Sequence, residues 1–104
     1  MNNKRFTLYL GLNDKDTKTQ QISTLEAYKV VSNLISADFD GGTIYEATGI
    51  YRHENGTIVT EKTLRIELLF CEREDVRKLV DVLKKMFNQE SVAVQEETIN
   101  SELW

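Results

Sequence analysis

Apolar and polar residues alternate from Arg5 to Leu12, with Phe6, Leu8, Leu10 and Leu12 on one face and Thr7, Tyr9 and Gly11 on the other. A period of two predicts a strand covered on one side. After a polar connection, Asn13 to Gln21, the period changes. Ser23-Thr24-Leu25-Glu26 places a serine at a helix cap and a glutamate three residues on, a capping-box pattern. Leu25, Tyr28, Val31, Leu34 and Ile35 follow at three- and four-residue spacing, which predicts one apolar stripe. This helix should stop near Asp38, ahead of Asp40-Gly41-Gly42.

Two long arms come next, Thr43 to His53 and Thr57 to Phe70, joined by Glu54-Asn55-Gly56. Asn-Gly predicts a tight hairpin turn, because both residues tolerate positive φ. Ile44 and Ile50 are expected inward on the first arm, with Tyr45, Ala47, Gly49, Tyr51 and His53 outward. The second arm sets Ile58, Leu64, Ile66, Leu68 and Phe70 against an outward row of Val59, Glu61, Thr63, Arg65 and Glu67. A second helix is predicted over 73–88, striped by Val76, Leu79, Val80, Leu83, Met86 and Phe87. Its acids at the start and Lys84-Lys85 near the end suit the helix dipole. Ser91 to Gln95 reads as a last strand with Val92 and Val94 inward, and 96–104 as a tail that is mobile or used in oligomer contacts. The order β-α-β-β-α-β predicts a ferredoxin-like α+β sandwich, a four-stranded antiparallel sheet with two helices on one face. Nothing in 1–104 remains to cover the sheet's other face, and the whole span reads as one domain.

Composition narrows the function classes. The 104 residues carry a formal net charge of −4, with no dense basic run. That argues against phosphate backbones and anionic lipid as partners. The start, Met1 to Arg5, is polar and predicts no export signal, and no apolar stretch approaches a membrane span. Cys71 is the one cysteine, which suits a reducing, cytoplasmic setting.

Four blocks in order carry a family resemblance: Leu8-Tyr9-Leu10-Gly11-Leu12, Phe39-Asp40-Gly41-Gly42-Thr43, Gly49-Ile50-Tyr51-Arg52 and Phe87-Asn88-Gln89-Glu90-Ser91-Val92. Together they resemble an uncharacterised bacterial family, domain of unknown function 3574. The resemblance implies a small ferredoxin-like domain and no catalytic residue.

Candidate chemistry concentrates on the open face and the turns. Tyr9, Tyr45 and Tyr51 mix there with Arg65, Glu67 and Glu61, and tyrosine suits interfaces. Base stacking on Tyr9 and Tyr51 would need a basic, glycine-flanked aromatic motif that the third strand lacks, so nucleic acid is not expected. One His and one Cys predict no zinc site, and no calcium-loop spacing occurs. His53 should lie far from Cys71, beside which Glu72 and Glu74 oppose a thiolate. Glu61 and Glu67 are six strand residues apart, roughly 20 Å, so they form no carboxylate pair. Arg52 and Glu61 are expected to pair across the hairpin. Gln89 and Glu90 belong to a turn, or to the polar wall of a ligand cleft.

The leading expectation is a non-enzymatic binding or regulatory module, a dimer or trimer. It would hold a small molecule or protein at the sheet face or subunit interface, without a cofactor or metal. Its motive is the uncovered sheet face and the long hairpin, joined to fold-level analogy with modules that pair such faces. One alternative is a small ferredoxin-like dimeric enzyme with a pocket on the sheet, favoured by a pocket containing Arg65, Glu67 or His53. Another is a mobile-element accessory protein that sequesters a nucleotide signal or inhibits a host protein.

Overall fold

A computed structural model of the chain describes residues 3–104; Met1 and Asn2, part of the polar start, lie outside it. Six elements follow in order: β1 (Lys4–Gly11), α1 (Thr24–Asp38), β2 (Thr43–Arg52), β3 (Ile58–Leu69), α2 (Arg73–Met86) and β4 (Ala93–Thr98). The strands form one antiparallel sheet in the order β2-β3-β1-β4. With the two helices this is the expected ferredoxin-like βαββαβ arrangement.

The core follows from the alternation. Phe6, Leu8 and Leu10 pair in register with Leu68, Ile66 and Leu64, and all six are buried. Ala27, Val31 and Ile35 of α1 and Val76, Leu79 and Leu83 of α2 complete the cluster. Ser23 caps α1, its Oγ accepting the Glu26 N–H at 3.2 Å. In α2, Glu74 and Asp75 occupy the first turn and Lys84 and Lys85 the last, as the dipole favours.

Several expected positions shift. The α1 stripe is centred on Ala27, so Leu25 and Tyr28 are exposed. The small alanine lets α1 approach the sheet, and Leu25 and Tyr28 fall to its flanks. Met86 likewise turns outward. Val94 keeps the inward register opposite Leu8, yet it is exposed, because β4 is an edge strand that the helices do not reach over. That strand runs on to Thr98, so three residues of the expected tail are paired with β1.

The hairpin is longer than the rest of the sheet. β1 stops at Gly11 opposite Thr63, whereas β2 and β3 stay paired out to Arg52 and Ile58. Ile50 therefore points to the helix side of the sheet where no helix remains to cover it, and is 71% exposed. At the tip, His53 N–H donates to Thr57 O and Gly56 N–H to His53 O, both at 2.9 Å. Only Gly56 takes positive φ (88°), not Asn55. The turn is thus a three-residue loop with glycine in the left-handed position, not the two-residue form. Asn55 contributes its side chain instead, accepting the Thr57 N–H.

Candidate functional site

The uneven strand lengths create a cleft. Where β1 ends, the hairpin continues alone, and the chain leaving β1 fills part of the gap with the loop between Asn13 and Gln20. The turn from α2 into β4 arrives at the same end. Between them lies a cleft of about 340 Å³, lined by Asn13, Asp14, Lys15, Lys18, Tyr51, His53, Glu61, Gln89, Glu90 and Ser91.

Glu61 is the cleft's one carboxylate on the hairpin. It stands opposite Gly49 of β2, and its carboxylate lies over Gly11 of β1. A Cβ at Gly11 would come within 2.7 Å of the Glu61 Cδ, so any larger residue there would require the carboxylate to swing off its seat. A Cβ at Gly49 would meet Thr63 Oγ1 at 2.7 Å and Glu61 Cγ at 3.7 Å. Two glycines inside strands, otherwise weak strand formers, are explained by this close approach. Oε2 accepts the Asn13 N–H at 2.9 Å. Among the described residues Glu61 makes no ion pair of 4 Å or less.

Tyr51 and His53, two residues apart on one face of the hairpin, meet edge to face with centroids 5.1 Å apart. The loop wall is fastened to the turn. Asn88, at φ 48°, donates through its amide to Asp14 Oδ2 (3.0 Å) and Asp16 Oδ2 (2.8 Å), and its carbonyl accepts the Lys15 N–H. Gln89 Nε2 donates to Asn13 O at 2.6 Å. Asp14 also accepts the Asp16 and Thr17 N–H groups. These bonds, that from Thr17 foremost, then those from Asn88 and Asp16, hold the Asp14 carboxyl below its ordinary pKa. Lys18 sits in the left-handed region at φ 63°, stabilised by its N–H bond to Asp14 O.

The structure thus brings together Tyr51, His53, Glu61, Gln89 and Glu90 of the expected site residues. A second group stays separate on the open sheet face. Arg65 lies 5.2 Å from the Tyr45 ring centroid and 2.9 Å from Glu67, while Tyr45 Oη donates to Glu67 at 3.4 Å. Tyr9, beside Arg65 in register, donates to Gln95. In this second group Arg65 and Glu67 face each other across a solvated surface, where such pairs contribute little. Arg52 belongs to neither group. Its register partner is Ile58 while Glu61 faces Gly49, so the expected Arg52–Glu61 pair does not form, and Arg52 Nη1 instead donates to Gly56 O.

Asn13, Asp14, Lys15 and Lys18 escaped sequence reasoning, because a polar loop carries no period to show where it docks. Gly11 and Gly49 were the readable signal for Glu61. Cys71 takes no part. It is buried, and desolvation, with Asp75 and Glu72 adding, pushes its thiol up to about 11. Among the described residues no three His, Cys, Asp or Glu side chains gather as a metal would need, and no helix is long and apolar enough to cross a membrane.

Residues 5–102 match the family described as "Protein of unknown function (DUF3574)". No curated protein matches the chain. Among solved structures, a phage SAM lyase in its apo state is 21% identical, with a TM-score of 0.67 over 98% of this chain and 86% of that one. A phage SAM lyase in complex with S-methyl-5′-thioadenosine is 23% identical, with a TM-score of 0.67 over 100% of this chain and 89% of that one. Likeness at this identity establishes a shared fold. It also overturns the expectation of a non-enzymatic module, which rested on fold-level analogy with binding proteins. These two solved proteins are described as an enzyme, so fold-level analogy no longer points to a non-enzymatic module.

Proposed function

The chain belongs to the DUF3574 family, whose description assigns no activity, and we propose that it is an enzyme of the SAM-lyase type that binds a sulfonium nucleoside in the cleft at Glu61. The observation that carries this reading is the Glu61 carboxylate, packed between two glycines and sharing its cleft with the Tyr51 and His53 rings. A sulfonium sulfur is a permanent cation with no hydrogen to donate. A carboxylate and aromatic faces recognise it by charge and cation–π attraction. The fold shared with a phage SAM lyase supports the same chemistry.

Charge assigns the roles. When the bond from sulfur to the amino-acid chain breaks, both electrons stay on sulfur and the cation becomes the neutral thioether S-methyl-5′-thioadenosine. The carbon left behind takes an electron pair from within the same molecule. The pair comes from its own carboxylate, or from a neighbouring C–H bond whose proton passes to a base. A carboxylate held against the sulfur stabilises the charged reactant more than a transition state that is losing its charge. Glu61 therefore selects and binds the cation. Rate comes from holding the amino-acid chain in its reactive conformation and from keeping water off it. Lys15 and Lys18 are the cationic groups of the cleft and suit the substrate's carboxylate. Gln89, Glu90 and Ser91 supply polar groups for the nucleoside.

Incubation of the purified protein with S-adenosylmethionine, followed by chromatography and mass spectrometry, tests this reading. It predicts release of S-methyl-5′-thioadenosine above the uncatalysed rate. Glu61→Gln, which keeps the shape and removes the charge, should lower kcat/KM at least about tenfold, mostly through KM. An inactive wild type, or an equally active Glu61→Gln variant, contradicts it. A cytoplasmic location and a homo-oligomeric state belong to the same proposal.

A further inference from the structure

Another cavity lies between α2 and β4. It measures about 420 Å³. Phe6, Val76, Val80 and Val94 give it an apolar lining, and Arg73, Arg77 and Lys84 stand around it with Asp81 and Glu96. Glu96 is already paired, to Lys4 at 2.9 Å and Arg73 at 3.7 Å. With Arg73 taken by Glu96, the rim carries Arg77 and Lys84 against Asp81, so the groove is apolar within and weakly basic at its rim. It exists because β4 is an edge strand that α2 only partly overhangs.

The chain carries a segment of matching chemistry. After β4, Ile99 N–H still donates to Asn3 O at 2.7 Å, so the backbone continues along β1 beyond the last paired residue. Glu102-Leu103-Trp104 then runs exposed, with Leu103 88% exposed and Trp104 fully exposed. An acid followed by two large apolar side chains is what an apolar groove with a basic rim takes. The segment leaves the sheet past Asn3, whereas the groove lies beside Val94 and Glu96, earlier on the same strand. Its own groove is behind it, and the groove of another molecule is open to it.

We infer that Leu103 and Trp104 of one molecule dock in the α2–β4 groove of a second copy. In this assembly the Trp104 ring packs on Val80 and Val94 beside Arg77, and Glu102 meets the basic rim. A reciprocal exchange satisfies two-fold symmetry with one kind of contact used twice. A tryptophan buries up to about 250 Å² and covers a similar area of groove, so two such contacts hide on the order of 1,000 Å². That is near the lower bound for a specific interface. The inference is independent of the proposed activity.

Trp104 is the only tryptophan in the chain, so its fluorescence reports this contact alone. Sedimentation of the wild type should show self-association, with Trp104 emission shifting to the blue as concentration rises. Trp104→Glu and Val80→Glu should each be monomeric with an unchanged circular dichroism spectrum. Mixing the two should restore association through one hook in one groove, weaker than that of the wild type, since one variant keeps the groove and the other keeps the hook. A Val80→Glu variant that misfolds is replaced by Arg77→Glu, on the exposed rim. A monomeric wild type overturns the inference, as does a blue-shifted Trp104 in a monomer, which would place the segment in its own groove. So does a Trp104→Glu variant that still associates while Tyr9→Glu does not, which would assign assembly to the open sheet face.

Discussion

At the scale of single residues, the cleft depends on what is missing at two positions. Gly11 and Gly49 lack the Cβ that would collide with Glu61 or Thr63. Gly11→Ala should therefore push the Glu61 carboxylate away from the Asn13 N–H. Ligand affinity should fall by at least tenfold, while the melting temperature drops by only a few degrees, because the core on the helix side is untouched. The KM for S-adenosylmethionine, measured beside a thermal melt, separates the two effects. Affinity equal to the wild type would show that Glu61 has no need of its seat.

Asp14 supplies a pH prediction at the same scale. Its folded pKa lies below the ordinary 3.8. The group thus stabilises the docked loop at all pH values above about 3.8, and that stabilisation is lost as pH falls through the lower folded value. The Asp16 and Thr17 amide resonances should titrate together with an apparent pKa below 3.8. In Asn88→Ala the midpoint should move up, because one of the bonds to the carboxylate is gone. An unchanged midpoint would mean that Asn88 does not hold Asp14.

At the scale of elements, stability resides where strand alternation and helix stripes agree. Leu8→Ala, at a fully buried position of the central strand β1, should cost about 2–5 kcal/mol. Ser23→Ala should cost about 1 kcal/mol by removing the α1 cap. Ile50→Thr should cost little, since Ile50 is exposed on the projecting hairpin. Denaturant unfolding checks all three, and a large loss at Ile50 would mean that another molecule covers it. The elements were legible because each carries its own period or cap. The period of two in Phe6–Leu12 and the Ser23–Glu26 cap needed no tertiary information. What one strand's period does not contain is where its neighbours stop. Ile50 reads as inward by alternation and becomes exposed only because β1 ends at Gly11. The α1 stripe was misplaced for a related reason: Ala27 looks less apolar than Leu25, yet its smallness makes it the residue of closest approach.

At the scale of the whole molecule, function sits where the elements run out. The cleft and the α2–β4 groove lie at borders that the sheet leaves uncovered, one beyond the end of β1 and one beside the edge strand β4. Tyr51, His53, Glu61, Gln89 and Glu90 were individually visible as polar or aromatic residues on open faces and turns. Their convergence was not, because it depends on the 13–20 loop meeting the Asn88–Gln89 turn, a contact between segments more than seventy residues apart. The separation of Glu67 from Glu61 was legible from strand rise alone.

The central claim is that the cleft at Glu61 is the ligand site. An NMR titration of isotope-labelled protein with S-methyl-5′-thioadenosine tests it most directly. Shift changes are expected to centre on the amides of Gly11, Asn13, Gly49, His53, Glu61 and Gln89, with the α2–β4 groove silent. Shifts centred on Val80 and Val94, or on Tyr9, Tyr45 and Arg65 with the cleft unchanged, would contradict it.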